Sequence, residues 1–479
     1  MELIYTTLQS GLVSLASYLA AHVLLCLVPA FFVAGALSAL VPQQSIIRFL
    51  GPNAPKWVAY PAAAGAGSLI AVCSCTVQPL FAGIYSKGAG LGPGITFMFF
   101  APAANILALA YTGVALGADF AIARVVLSLC FGIGIGMIMA LLFHRDDAAR
   151  LANAAAFTGG EGISRRTVIF LIALIALLIA GTLKLDFLTA RLATFDLTLP
   201  AALSAQELLD RLLPVDAIKG NEGLSLQGVA LIVMLALIGA TALRGLGKVD
   251  EGFNRLTKLT LGLIAATLIF ATLGMQATGD GLRIAVIGRT LAVAALLALL
   301  VPLARRFDAW DMQQWLWETW RFVLQIFPLL IVGVFLVGVI RVFIHPEWIQ
   351  AIAGANTVMG NLAGVVFGVF MYFPTLVEVP IAKMFLSLGM HPGPLIAYLM
   401  ADPELSLQSI LITSTIIGKL KAWTYVGFVA LFSTVSGLAY GAWVDGVPIA
   451  GIALTIAVFV GILITALYII DKHQAPTAA

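Results

Sequence analysis

Apolar runs of about the 20 residues a helix needs to cross a bilayer recur from one end of this chain to the other, with few charges between them. That patterning excludes most of what a chain of 479 residues could otherwise fold into. Hydrophobic residues make up 61% and charged residues 10%, against roughly 25% charged in ordinary soluble domains, so most of the chain cannot be water-facing surface. The runs are continuous and rich in Leu and Ala, without the alternation of strands, and a helix satisfies its own backbone in lipid. The expected fold class is an all-α polytopic membrane protein. The net charge of +3, with no basic patch interleaved with aromatics, argues against nucleic acid and leaves the lipid bilayer as the first partner.

Expected membrane segments fall at about 5–40, 57–75, 76–88, 91–117 and 120–143, then 167–185, 226–243, 256–276 and 281–303. They resume at about 312–343, 358–374, 375–388, 392–417 and 422–443, with a last helix at 449–470. This divides the chain into a first transmembrane repeat (1–143), a cytoplasmic linker (144–166) and a central four-helix region (167–311) carrying an external loop (186–225). A second transmembrane repeat (312–443) and a last helix with its tail (444–479) follow. No Lys or Arg precedes Arg48, so the first run reads as a retained helix rather than a cleaved signal.

Two stretches match without a gap, "PLFAGIYSKGAGLGPGITFMFFAPAANILALAYTGVALG" and "PIAKMFLSLGMHPGPLIAYLMADPELSLQSILITSTIIG". The matched residues are mainly helix breakers: Pro79/Pro380, Gly88/Gly389, Gly92/Gly393, Pro93/Pro394, Pro102/Pro403 and Gly117/Gly418. Pro29 and Pro328 mark the long helix that opens each half. Basic groups at Arg244, Lys248, Arg255 and Lys258, at Arg305 and Arg306, and at Lys419 and Lys421 set cytoplasmic loops. The acidic loop 186–225 is then external, the N-terminus external and the C-terminus cytoplasmic, in a bacterial inner membrane. The two repeats acquire opposite topologies, and inverted repeats with Pro-interrupted, re-entrant helices are a transporter pattern.

A proline removes an amide hydrogen and clashes with the carbonyl four residues back, so Pro79, Pro102, Pro380 and Pro403 mark expected helix breaks. Freed carbonyls cannot face lipid, which makes the breaks expected binding positions. In the first repeat their candidates are Cys73, Ser74, Cys75, Thr76, Gln78 and Asn105; in the second, Thr375, Glu378, Asp402 and Glu404. Residues two apart on a helix point about 200° apart, so Cys73 and Cys75 converge on one ligand only if their segment is unwound. Paired thiolates suit thiophilic ions or metalloids better than hard cations, making Cys73 and Cys75 transient substrate ligands for a soft metal or metalloid. An intramembrane carboxylate is a functional candidate by default, which makes Glu378, Asp402 and Glu404 candidate proton-coupling groups; Lys383 could instead pair with Glu378 structurally. Cys26 and Cys130, alone on apolar helices, read as small buried hydrophobes. All four cysteines lie in apolar segments, which disfavours a secreted-type disulfide framework.

At "CSCTVQPLFAGIYSKGAGLGPGITFMFFAPAANI" the chain resembles the ArsP-like and YraQ-like predicted permeases, which carry a Cys-Ser-Cys motif followed by a Pro and a Gly-rich turn. The resemblance spans both repeats. It implies a permease and not an enzyme, and in some members efflux of trivalent organoarsenicals or thiophilic metals held by paired cysteines. By position this carries over to Cys73 and Cys75. The second repeat has no cysteine, so a sulfur site here is one-sided. No phosphate-binding loop of the GxxxxGK[ST] type is present, which favours a secondary, proton-coupled carrier without cofactor, either alone or as a homo-oligomer. The competing readings are a thiol-redox membrane protein, a passive channel, and a permease for an unrelated solute with structural cysteines.

Overall fold

The computed structural model describes the backbone of residues 2–52, 54–69, 74–155, 163–182, 186–198, 201–212, 223–278, 281–343, 347–370 and 375–474. The first group is α1 (Glu2–Tyr18), a π-helical stretch (Leu19–Leu27), α2 (Val28–Leu40), α3 (Gln43–Leu50), α4 (Lys56–Leu69), α5 (Ser74–Ser86), α6 (Leu91–Ala103), α7 (Ile106–Ala115) and α8 (Ala118–Leu142). The polar linker opens with α9 (His144–Ala155). The central group is α10 (Arg165–Thr182), α11 (Asp186–Thr189), β1 (Arg191–Leu197), α12 (Ala201–Leu212), α13 (Leu226–Gly245), α14 (Arg255–Ala271), β2 (Gly274–Thr278), β3 (Gly281–Ile287) and α15 (Gly288–Ala304). The last group is α16 (Ala309–Arg341), α17 (Glu347–Ala353), α18 (Val358–Phe370), α19 (Thr375–Ser387), α20 (Pro392–Leu405), α21 (Leu407–Ile417), α22 (Lys419–Val444) and α23 (Ile449–Gln474).

Among the described residues, 6 spans are long and apolar enough to cross a membrane, or 7 if the bent pair α20–α21 is one span. The polytopic all-α expectation holds for the membrane part. It fails between α14 and α15, where part of an expected apolar run forms a sheet ordered β1-β3-β2. β3, "GLRIAVI", pairs antiparallel with β2 (Gln276 opposite Arg283) and with β1 (Thr194 opposite Ala285). Its apolar letters are those of a strand with β-branched residues, and composition alone merged them with the helix that follows. An ion pair of 2.7 Å from Arg283 Nε to Asp196 Oδ1 ties β3 to β1.

Two helices form the centre of the molecule. Every residue of α6 is buried, and so is α20 from Gly393 onward. A Cβ on Gly136 would lie 2.7 Å from the Gly92 carbonyl oxygen, and one on Gly437 2.6 Å from that of Gly393. The glycines thus let α8 close on α6 and α22 close on α20, as small residues do between membrane helices. Tyr60, near the start of α4, lies against Gly92, while Gly67 near its end lies against Phe100 and Ala101. Helices α4 and α6 therefore run the same way, and α5 between them runs back. In the last group Gly364 faces Pro394 and Gly368 faces Asp402, so α18 and α20 run the same way with α19 returning.

Backbone bonds anchor each return. Gly90 N donates to Leu50 O at 2.6 Å, and His391 N to Ala353 O at 2.9 Å. The turns use left-handed backbone, with φ of 95° at Gly88 and 90° at Gly389, which glycine alone adopts without penalty. The groups meet crosswise: α5 packs on α21, α7 on α19, α6 on α20 and α8 on α22. Phe120 meets Tyr440, Phe131 meets Phe432 and Asp146 meets Lys421, so α8 and α22 are antiparallel. The opening helices are antiparallel too, with Gly11 beside Phe335 and Gly35 beside Thr319.

Candidate functional site

Pro79 and Pro380 do not stand at breaks. Each lies inside its helix, α5 and α19, where the missing amide falls in the second turn. Pro102 and Pro403 stand close to the ends of α6 and α20, and the chain breaks just beyond them. Pro79 and Pro380, each the sixth residue of its helix, remove the bond to the carbonyl four residues back, that of Cys75 and that of Leu376. At the later breaks a polar side chain restarts the helix. Asn105 Oδ1 accepts from Ala108 N at 2.8 Å, and Ser406 Oγ from Ser409 N at 3.3 Å.

Asn105 also donates through Nδ2 to the carbonyls of Ala101 (3.0 Å) and Pro102 (3.1 Å), so both ends of its amide are used in closing the break. Cys73 lies outside the described residues, as do the side chains of Ser74, Cys75 and Thr375. The backbone of Ser74 and Cys75 opens α5. Thr76, the next residue, is fully buried with its hydroxyl against the Cys26 sulfur. Cys26 belongs to the π-helical stretch and was read from the sequence as a bystander. Its sulfur contacts Thr76, the residue that follows Cys75 in the chain. Cys130 is exposed on α8 and takes no part.

Gln78 is buried and accepts through Oε1 from Thr413 Oγ1 of α21 at 3.0 Å. It links the first group to the last. A second link crosses the other way. Arg124 on α8 has no solvent exposure; its Nε donates to Ala103 O at 2.8 Å, and Nη1 to Thr112 Oγ1 at 3.2 Å. Nη2 reaches Glu378 at 3.1 Å (Oε1) and 3.2 Å (Oε2). Glu378 is therefore the fixed half of a buried ion pair, and its partner is Arg124, not Lys383, which is exposed on the same helix. Arg124 was missed because the search followed proline breaks. A lone arginine in "ADFAIARVVLSL" was the available signal, since charges within membrane segments are rare and paired.

Asp402 and Glu404 are buried at depth and not at a loop rim. Glu404 Oε2 accepts from the Tyr425 phenol at 2.6 Å, and its Oε1 has no hydrogen-bond partner among the described residues. The two breaks correspond at a constant offset of 301 residues, as from Gly88 to Gly389. Ala103 and Glu404 then share one position, Arg124 and Tyr425 another, Thr112 and Thr413 a third. A cleft between α2, α13 and α16, lined by Phe31, Leu235, Ile238, Trp320 and Phe327, is apolar throughout and suits a lipid chain better than a polar solute. Among the described residues no cluster of three or more His, Cys, Asp or Glu could hold a metal ion.

Comparison with known proteins gives three results. A family described as "Predicted permease" matches residues 9–442. The UPF0718 protein MJ0584 of Methanocaldococcus jannaschii is 31% identical over 443 residues, covering 92% of this chain and 98% of that protein. The UPF0718 protein YraQ of Escherichia coli K12 is 28% identical over 133 residues, covering 27% of this chain and 36% of that protein. No solved structure matches.

Proposed function

Since the chain belongs to the ArsP-type predicted permease family, we propose that it is a secondary permease of a bacterial inner membrane that exports a small thiophilic solute, a trivalent organoarsenical or soft metal ion, against a proton gradient. The observation that carries the solute class is Cys26 lying against Thr76, one residue beyond Cys75. A sulfur from the opening helix thereby contacts the residue that follows Cys75 in the chain, and the proposal adds it to Cys73 and Cys75 as ligands of a soft ion. A π-helical stretch in an otherwise α-helical segment is a frequent mark of a functional site, and Cys26 lies on one.

The reading takes the groups 1–143 and 312–443 as inverted repeats with the solute near the bilayer midplane between them. Support comes from the antiparallel pairing of α8 with α22 and of α1–α2 with α16, and from the crosswise packing of α5 on α21 and α7 on α19. The N-terminus is then external and the C-terminus cytoplasmic. Thr76 contributes to the solute site through its contact with Cys26, and Ser74 and Thr375 stay candidates for it from their places in the sequence. Gln78, engaged by Thr413, couples the halves and does not hold solute.

Growth of a transporter-null strain carrying the gene, against phenylarsenite, arsenite, antimonite, cadmium and zinc, tests the proposal. The expected result is tolerance gained for at least one soft species and lost in Cys73→Ser/Cys75→Ala. Equal tolerance in that variant would remove the sulfur site.

A further inference from the structure

We propose that Glu404 is the proton carrier of this permease and that Glu378 is not, an inference that rests on the transport reading and deepens it by assigning the coupling ion to one side chain. The two breaks are built alike, and the residues that differ between them are charged. At each, the long helix that follows sends a donor back to one position: Arg124 Nε to the Ala103 carbonyl, Tyr425 OH to the Glu404 carboxyl. At each, a polar side chain crosses from the opposite half: Glu378 to Arg124 of α8, which also bonds Thr112 of α7, and Gln78 to Thr413 of α21.

The charge count separates them. Around Ala103 a guanidinium and a carboxylate cancel, and both oxygens of Glu378 are engaged by Arg124. Around Glu404 a carboxyl faces a phenol and the crossing side chain is a neutral amide. Among the described residues no cation pairs with Glu404, and its Oε1 has no hydrogen-bond partner there although the side chain is buried. A carboxylate in that setting carries its full desolvation cost, which a proton removes and a single phenol does not. A metal cation would require several oxygens around it, and Glu404 and Tyr425 do not supply them.

The titratable and charged groups on elements packed against α20 are few. On α22 they are Tyr425 and Tyr440, with Lys419 and Lys421 at its start; on α8, Asp119, Arg124 and Cys130; on α19, Glu378 and Lys383. Helices α6, α18 and α21 carry none. On α20 itself are Tyr398 and Asp402; the backbone and Cβ of Asp402 abut Gly368 of α18, whereas the Glu404 carboxyl meets Tyr425 of α22. In the cycle Glu404 takes a proton from water on one side and becomes a neutral acid. The halves re-pack, and the acid returns the proton to water on the other side. Arg124 and Glu378 stay paired throughout.

Difference infrared spectroscopy of the purified full-length protein in liposomes, titrated with acid and alkali and repeated in D2O, reads this without any solute. The expected result is a protonated-carboxylic-acid C=O band that appears on acidification and shifts in D2O. It is lost in Glu404→Gln and kept in the Arg124→Leu/Glu378→Leu double variant. Tyr425→Phe keeps the band and moves its frequency, because the phenol hydrogen bond is gone; that variant decides the matter should Glu404→Gln fail to fold. A band that survives Glu404→Gln, one that vanishes with the double variant, or one replaced by a carboxylate signal responding to sodium at constant pH overturns the assignment. Phenylarsenite uptake into everted vesicles is measured separately, so a band behaving as stated beside vesicles that move no phenylarsenite supports the proton site and rejects only the solute reading.

Discussion

Arg124 and Glu378 meet without solvent, and their pairing carries a definite energetic signature. Taking both charges out of water costs nearly what their attraction returns, whereas removing one partner strands the other. Arg124→Leu or Glu378→Leu alone should destabilise the protein by about 3–5 kcal/mol, and the double substitution should recover most of that. Thermal melting of the purified protein, followed by tryptophan fluorescence, checks this; additive losses in the double variant would show that the two residues do not act as a pair. Asn105→Ala should cost about 1 kcal/mol through the lost cap, while Asn105→Ser, which copies Ser406, should stay close to wild type in the same assay. Sequence made Glu378 visible as an acid in an apolar run but could not name its partner, because the pair joins residues 254 apart across the interface of the halves. Glu404 was legible as a candidate acid, but its phenol partner Tyr425 was not.

At the scale of elements, the close approaches of α8 to α6 and α22 to α20 depend on absent side chains. Gly437→Ala would place a methyl 2.6 Å from the Gly393 oxygen, a backbone atom that cannot rotate aside. The expected cost is about 1–3 kcal/mol, seen as a lower melting temperature, and the lipid-facing Gly427→Ala, with open space around it, should be neutral. The sheet has its own pH dependence. Hydrogen bonding from Arg283 holds the Asp196 carboxyl below its ordinary range. Its contribution is therefore present above the pKa of an unfolded aspartate and lost as pH falls through the depressed folded value. Protection of the β1 and β3 amides, taken relative to their intrinsic exchange rate at each pH, should fall on acidification in wild type and lose that acid-linked step in Asp196→Asn. Helices were legible here because their apolar runs are long. The sheet was not, since strand β3 reads as the beginning of α15 until its pairing with β1 and β2 is known.

For the whole molecule, the matched Gly and Pro positions gave the correspondence of the two groups in advance, and the left-handed Gly88/Gly389 and Gly117/Gly418 pairs agree with it. Their opposite direction was read from the basic and acidic loops, a reading that depends on which short helices return. With the groups inverted, the turns after α5 and α19 face opposite sides. An impermeant maleimide should label Lys87→Cys from the cytoplasmic side and Ser387→Cys from outside; labelling of both from one side would reject the inversion. The binding residues were only partly legible because a cysteine's neighbours are set by tertiary packing, as Cys26 beside Thr76 illustrates. The most direct measurement of the central claim is pH-gradient-driven accumulation of phenylarsenite in everted vesicles. Wild type should accumulate it, and Cys73→Ser/Cys75→Ala and Cys26→Ala should fall toward the level of vesicles lacking the protein. Undiminished accumulation in a variant lacking all three cysteines would contradict the account.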